Sequence, residues 1–412
     1  MNLWRNPNFR NILLANAISS VGDGFHTIAA MWWVKVHTGL DGLVAGVALA
    51  KGLTTVLLAP FAGALVDRYD RRMVMLGSNL ARALIVALLG ALTVADRLEP
   101  WVLIVASAML SALGTLFGPA FSSSIPNIVG LDKLAPANSS LQIAGTLASI
   151  TGPALGGIAV ATIGSGGAFF VDALSFALAA LLILISKIPS PVRAPTGQPS
   201  SLLSEIGDGW RWLRTQRLMF GVVLLALGLN FLIAPMQVLF PGYAKDVLLT
   251  DARGFGLIES GFPVGFLIGA LLLNVLKPKS VGAMIVGCMS AFGLLVVGLG
   301  LSRGLALSLG FLIGVGAMLA LINISLSVVF QSQIPNEMQG RVFGVIQTLG
   351  GGLQPLGLAL APLLIVTLGG IPNVMVVIGA LTAVAGLSFL TVPGFLGLHT
   401  PAAASSMEVK AA

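Results

Sequence analysis

Long apolar stretches alternate with short polar breaks along the whole 412-residue chain. Apolar runs fall near positions 11–36, 43–66, 73–94, 101–123, 138–163 and 168–187, and again near 218–241, 254–276, 281–301, 304–330, 341–368 and 372–397. At 1.5 Å per residue, about 20 residues cross a hydrocarbon layer about 30 Å thick, and longer runs cross it with some tilt. Barrel strands would instead read as segments of about ten residues with alternating polarity. The pattern predicts an all-α membrane protein with twelve transmembrane helices.

The longest polar break, 188–217, divides these runs six and six. Its first part, Pro-Ser-Pro-Val-Arg-Ala-Pro-Thr-Gly-Gln-Pro, cannot form a helix and reads as a strap. Its second part spaces Leu202, Ile206, Trp210 and Leu213 by four and three, with charges elsewhere around the wheel, which predicts an amphipathic helix on the membrane surface. The expected organisation is a six-helix bundle over 1–187, a connector over 188–217, a second six-helix bundle over 218–397 and a tail over 398–412. The halves also resemble a repeat. Ile125-Pro126-Asn127 and Ile334-Pro335-Asn336 close the fourth and tenth runs, and a proline follows in the next run of each half, at Gly152-Pro153 and Gln354-Pro355. Two parallel repeats place a substrate between the halves, near the membrane midplane.

Composition removes other classes. Hydrophobic residues make up 56% of the chain and charged residues 9%, with a mean hydropathy of +0.98, whereas water-soluble domains carry roughly 25% charged residues. The one cysteine, Cys288, excludes an intrachain disulfide and lies in an apolar run. The net charge of +7 needs no nucleic-acid partner, because the basic residues concentrate in the short loops. If both termini are cytoplasmic, fifteen Lys and Arg lie on the inner side and five on the outer, which predicts that orientation in a plasma or inner membrane. Arg5 and Arg10 precede the first run without a cleavage-site pattern, in keeping with a cytoplasmic N-terminus. Metalloprotease, nucleophile-elbow and nucleotide-binding motifs are absent from the sequence. No enzymatic activity, ATP-driven pumping, cofactor or metal is expected.

The remaining two cations, Lys51 and Arg82, lie inside spans, and so do a few acids. Asp23, in Ser19-Ser20-Val21-Gly22-Asp23-Gly24-Phe25-His26, falls about 12 residues into the first run, roughly 18 Å deep. A carboxylate there must face a cavity, find a cation or stay protonated. The flanking glycines predict a helix that loosens, and His26 shares the face of Asp23. Two readings follow: a proton-coupling site, or an ion pair with Lys51 or Arg82 that fixes helix packing. Glu259 is a further coupling candidate near the start of the eighth run, where snorkelling would keep it wet. Asp172 reads as a first-turn carboxylate of the sixth run, favourable at a helix N-terminus without any transport role. Trp32, Trp33 and Trp101 read as interface anchors.

Between the second and third runs, Gly63 to Arg72 reads Gly-Ala-Leu-Val-Asp-Arg-Tyr-Asp-Arg-Arg. It carries Asp67, Arg68, Asp70, Arg71 and Arg72, and each unpaired charge at a bilayer centre would cost about 2.5–3.5 kcal/mol, so this is a surface turn. As a basic turn it would only set topology. It also resembles the loop between helices 2 and 3 of the major facilitator superfamily, matching at Gly63, Asp67, Arg68, Arg71 and Arg72, with Asp70 where that family usually has glycine. The resemblance implies a conformational latch that pairs with neighbouring helix ends.

In the fifth run, Gly152-Pro153-Ala154-Leu155-Gly156-Gly157 resembles the helix-5 motif of major facilitator antiporters, with Ala148 where the longer pattern has glycine. Its physical content is a bent helix with small residues that let a neighbour approach and slide, and plain close packing is the competing reading. The Ser-Val-Gly-Asp-Gly-Phe stretch, with Trp32-Trp33 and Thr38-Gly39 after it, is similar to the first helix of the macrolide-efflux and siderophore-export branch. The fourth run lacks the arginine that many drug–proton antiporters carry there. The resemblance implies the major facilitator fold, a monomer, and proton-coupled export of an amphipathic small molecule such as a drug, macrolide or siderophore by alternating access. The other reading is a lysophospholipid translocator or uptake carrier of the same fold.

Overall fold

The structure, a computed structural model, describes residues 3–66, 68–189, 202–276, 280–392 and 394–397; for Ala64, 202–206, Asn274 and Asn336 only the backbone is described. Asp67, most of the proline-rich strap and the tail from 398 lie outside the described residues. Among the described residues the chain forms thirteen α-helices and no strand: α1 (Pro7–Thr38), α2 (Asp41–Val66), α3 (Arg71–Val94), α4 (Pro100–Val129), α5 (134–163), α6 (165–184), α7 (Leu202–Thr215), α8 (Arg217–Val247), α9 (Ala252–Leu276), α10 (Val281–Leu301), α11 (Leu305–Gln333), α12 (Asn336–Thr367) and α13 (Ile371–Ser388). Helices α5 and α6 form one continuous run broken at Gly164, whose φ of 73° and ψ of 170° suit glycine alone. α8 is interrupted by a turn at Ala234 and Pro235 and ends in a π-helical turn, Tyr243–Val247.

Among the described residues, ten helical stretches are long and apolar enough to cross a membrane. One of them, Leu131–Leu184, holds both α5 and α6, and the more polar α1, carrying Arg10, Asp23 and Lys35, makes the twelfth span. All twelve predicted spans are therefore present, and the short α7 is the connector helix.

Local chemistry sets the ends. Asn6 caps α1 by accepting from the Asn8 and Phe9 amides, Pro7 occupies the first turn, and Gly39 at φ 67° ends the helix. Asp70 caps α3, accepting from the Met73 amide at 3.0 Å. The departure from the family glycine at this position thus supplies a helix cap. Three details of the sequence reading are corrected. α13 stops at Ser388 rather than running to 397, because the chain turns back, with Gly394 at φ 81°, and buries Phe395. Pro126 lies inside α4, whereas Pro335 caps α12, so the two Ile-Pro-Asn tripeptides do not occupy equivalent places. The glycines beside Asp23 do not loosen α1, which is unbroken from Pro7 to Thr38. Pro153 and Pro355 do correspond, each nineteen residues beyond the first residue of its helix.

The chain divides into two compact units, Met1–Ala194 with Val238–Ser260, and Pro195–Gln237 with Gly261–Ala412. In the first, apolar clusters form around Phe9, Ile12 and Ile125, and around Met75, Phe117 and Ile183. In the second, α7 buries Leu213 and joins Asp208 to Arg341 of α12 at 3.3 Å. Gly209 lies so close to the Arg341 carbonyl that a Cβ would stand 2.6 Å from its oxygen. The amphipathic connector helix therefore packs on the start of α12; the Leu202 and Ile206 side chains lie outside the described residues.

Candidate functional site

The helix-5 motif forms a seam with two faces. On one, a Cβ at Gly24 of α1 would stand 2.5 Å from the Gly152 carbonyl carbon, and a Cβ at Gly156 would stand 3.0 Å from the Phe25 Cα. On the other, a Cβ at Gly157 would stand 2.5 Å from the Ala252 oxygen and 3.0 Å from the Gly256 Cα of α9. Backbone meets backbone on both sides of α5, the close approach that small residues permit between membrane helices. Ala148 is buried as well.

This seam fixes α1 with Asp23 turned into a cavity of about 380 Å³ between α1, α2, α3 and α4. Asp23, His26, Lys51, Arg82, Ser107 and Ser111 contribute its polar lining. Asp23 and Lys51 are exposed to this space, and among the described residues neither forms an ion pair within 4.0 Å. The Ser111 hydroxyl, at 2.8 Å, and the Thr55 hydroxyl, at 3.1 Å, both donate to the Lys51 carbonyl, tying α2 to α4. Arg82 is buried, its guanidinium 5.7 Å from the Phe117 ring and 5.2 Å from that of Phe176, within cation–π range. It fills the space left by Gly114. Sequence reasoning had offered Asp23 a packing partner in Lys51 or Arg82; the geometry gives it neither as a direct contact. Glu259 is partly buried in α9 and does not line this cavity.

The structure brings in a residue that sequence reasoning set aside. Asp172 is not in the first turn of its helix, because α6 begins after Gly164, and it lies fully buried about two turns in. Its Oδ1 accepts from the Ser175 hydroxyl at 3.2 Å, and its Oδ2 lies 4.0 Å from His26 Nδ1. Gly22 makes room for both residues, since a Cβ there would stand 2.8 Å from the Ser175 Cβ. The Gly164–Gly167 cluster was the signal in the sequence that moves the helix start back. Within the first unit several buried polar atoms have no hydrogen-bond partner among the described residues: His26 Nδ1, Asp172 Oδ2, Arg82 Nε, Ser107 Oγ and both amide atoms of Asn79.

In the loop from Gly63 to Arg72, Arg71 donates to the Ser123 carbonyl of α4 at 2.8 Å, and Arg72 donates to the Ile183 and Leu184 carbonyls at the end of α6. The Ile183 and Leu184 carbonyls lie at the negative end of α6, where a cation is favourable. Arg68 is exposed, Gly63 lies inside α2, and Asp67 lies outside the described residues.

At the Thr38 end of α1, Lys35 is 3% exposed and its ammonium meets Asp41 at 2.6 Å and Asp246 at 2.7 Å. Lys245 donates to the Lys35 carbonyl at 3.1 Å. Sequence reasoning counted Lys35 only among the five cations of the outer side. Trp33 is buried and stacks on His37, and Trp32 stacks on Phe255, so of the three proposed anchors only Trp101 is exposed.

A family model described as transmembrane secretion effector matches residues 2–402. The multidrug efflux pump Tap of Mycobacterium tuberculosis is 29% identical over 377 residues, covering 87% of this chain and 86% of that one. The macrolide efflux protein A of Streptococcus pyogenes is 24% identical over 371 residues, covering 88% and 90%. Among solved structures, a point mutant of the nucleoside transporter NupG superposes with a TM-score of 0.75 at 13% identity, covering 93% of this chain and 98% of that one. A bacterial homologue of the iron transporter ferroportin, in an inward-facing state, superposes with a TM-score of 0.73 at 17% identity, covering 95% and 100%. At such identities the superpositions carry the fold alone, and that fold is the one expected from the sequence. The chain is a multi-pass membrane transporter rather than an enzyme, and it belongs to the transmembrane secretion effector family of the major facilitator superfamily.

Proposed function

We propose that the protein is a proton-driven exporter of amphipathic small molecules, working as a monomer by alternating access, with both termini and the connector in the cytoplasm. The observation that carries the coupling is Asp23, an acid open to a cavity halfway along α1 with no ion-pair partner within 4.0 Å among the described residues. A charge so placed is costly unless it is used, and binding a proton in one conformation and releasing it in the other uses it. The named activities of Tap and of macrolide efflux protein A support drug-like substrates. In this reading Lys51 and Arg82 set the field around Asp23 and His26, with Glu259 as the reserve candidate. Gly152, Pro153, Gly156 and Gly157 are the sliding surface, and Gly63, Asp67, Arg68, Arg71 and Arg72 are the latch.

The other reading, lysophospholipid translocation, has one observation on its side. An apolar groove of about 370 Å³ opens between α1, α5 and α6, lined by Ile18 and by the exposed Leu155, Leu174 and Leu178. A growth-inhibition panel of antibiotics, dyes, siderophores and lysolipids, in cells with and without the protein, separates the two. Its best substrate then serves in proteoliposomes. Asp23→Asn is expected to exchange that substrate down its gradient and to lose accumulation driven by a pH difference. Normal accumulation by well-inserted Asp23→Asn would remove Asp23 from the mechanism.

A further inference from the structure

Asp172 has no part in the mechanism above, although its surroundings are unusual for a structural residue. It is 0% exposed about two turns into a transmembrane helix, with one hydrogen bond to Ser175 and a second oxygen that has none among the described residues. An ionised acid in such a place needs a counter-charge, and a neutral one needs an acceptor for its proton. Among the described residues, the charged and titratable groups near it are His26 and Asp23 from α1 and Arg82 from α3, with Lys51 of α2 across the cavity. Of these, His26 is the one that lines the cavity and also turns a buried ring nitrogen toward Asp172. Among the described residues its Nδ1 has no hydrogen-bond partner, and the 4.0 Å separating it from Oδ2 is too long for a hydrogen bond. Two unpartnered polar atoms thus face each other across a gap that a small tilt of the ring, which rests against Phe169 at 5.5 Å, would close.

We propose that His26 and Asp172 form a second proton-holding pair behind the cavity wall, loaded from the cavity through the imidazole. The inference rests on the proton-coupled reading and extends it. The step balances without another reactant: a hydrated proton in the cavity adds to Nε2, and the proton on Nδ1 passes to Asp172 Oδ2. The ring is left neutral in its other tautomer, and one proton has moved from water to the carboxylate. Returning the proton reverses the same two transfers. Gly22 is what permits this arrangement, because any side chain there would collide with Ser175 and Asp172. Asp23 then meets substrate or proton in the cavity, while Asp172 holds a proton where substrate does not reach. His26 relays the proton between the cavity and Asp172 and does not bind substrate.

The test needs no substrate. Infrared difference spectra of the full-length protein in lipid, taken between mildly acidic and mildly alkaline medium, report protonated carboxyl groups directly. The wild type is expected to show two pH-dependent carboxyl bands, one lost in Asp23→Asn and the other in Asp172→Asn. His26→Gln should slow hydrogen–deuterium exchange of the Asp172 band while leaving the Asp23 band unchanged. If Asp172→Asn does not accumulate, Asp172→Glu, which moves the band rather than removing it, makes the same assignment. An Asp23 band that titrates beside a silent Asp172 overturns this proposal alone, whereas two silent carboxyls overturn proton coupling as well. Exchange as fast in His26→Gln as in the wild type would remove the imidazole from the path.

Discussion

Two lysines in the first unit meet acids in opposite ways. Lys35, at the Thr38 end of α1, is 3% exposed and held by Asp41 and Asp246. Lys51, halfway along α2, is exposed to the cavity and forms no ion pair within 4.0 Å among the described residues, although Asp23 lines the same space. Near a helix end, saturating a buried cation gives a fixed cross-link, here between α1 and the π-helical turn of α8. Mid-helix, leaving the charges apart gives a field that a proton or a substrate can change. Charge pairing completed by the protein holds structure, and charge pairing left open is available for work.

The largest expected effect tests what holds the open region in place. Gly156→Leu forces a side chain into the space where a Cβ alone would stand 3.0 Å from the Phe25 Cα, and overpacking costs about 1–3 kcal/mol. If that falls on one conformer, the balance of states shifts by roughly tenfold to a hundredfold, and efflux normalised to membrane abundance should fall accordingly. Unchanged efflux would make the seam incidental. The contrast between the lysines is sharper in a paired experiment. Replacing Asp41 and Asp246 together by Asn leaves the buried Lys35 uncompensated, and breaking a buried pair costs about 3–5 kcal/mol, reduced here to about 2–3 because Asp246 is half-exposed. Thermal unfolding in detergent should register that loss, while Lys51→Gln should change stability by less than about 0.5 kcal/mol yet alter transport rate or substrate range. Equal effects on stability would erase the distinction. The last effect concerns the cap of α3: Asp70→Ala should cost about 1 kcal/mol and Asp70→Gly only a few tenths, read as small shifts in Tm. A larger loss of transport than of stability in Asp70→Ala would give this residue a part in the latch.

Much of the molecule could be read before folding it. Twelve apolar runs became twelve spans because a helix satisfies its own backbone in lipid and length alone decides whether it crosses. Asp23, Lys51 and Arg82 could be singled out for a similar reason, since a charge in an apolar run is conspicuous wherever the run goes. The small residues of Gly152–Gly157 announced close packing, but not that they face α1 on one side and α9 on the other.

Tertiary structure decided the rest, and it did so through distance rather than residue type. A glycine break at 164 moved Asp172 from a first-turn acid to a buried one beside His26, 146 positions earlier in the chain. The same residue types gave Lys35 two acids and Lys51 none among the described residues. The apolar pattern along a chain registers the cost of leaving water, which each segment meets alone. Whether a charge is matched depends on which helices lie side by side, and only packing determines that.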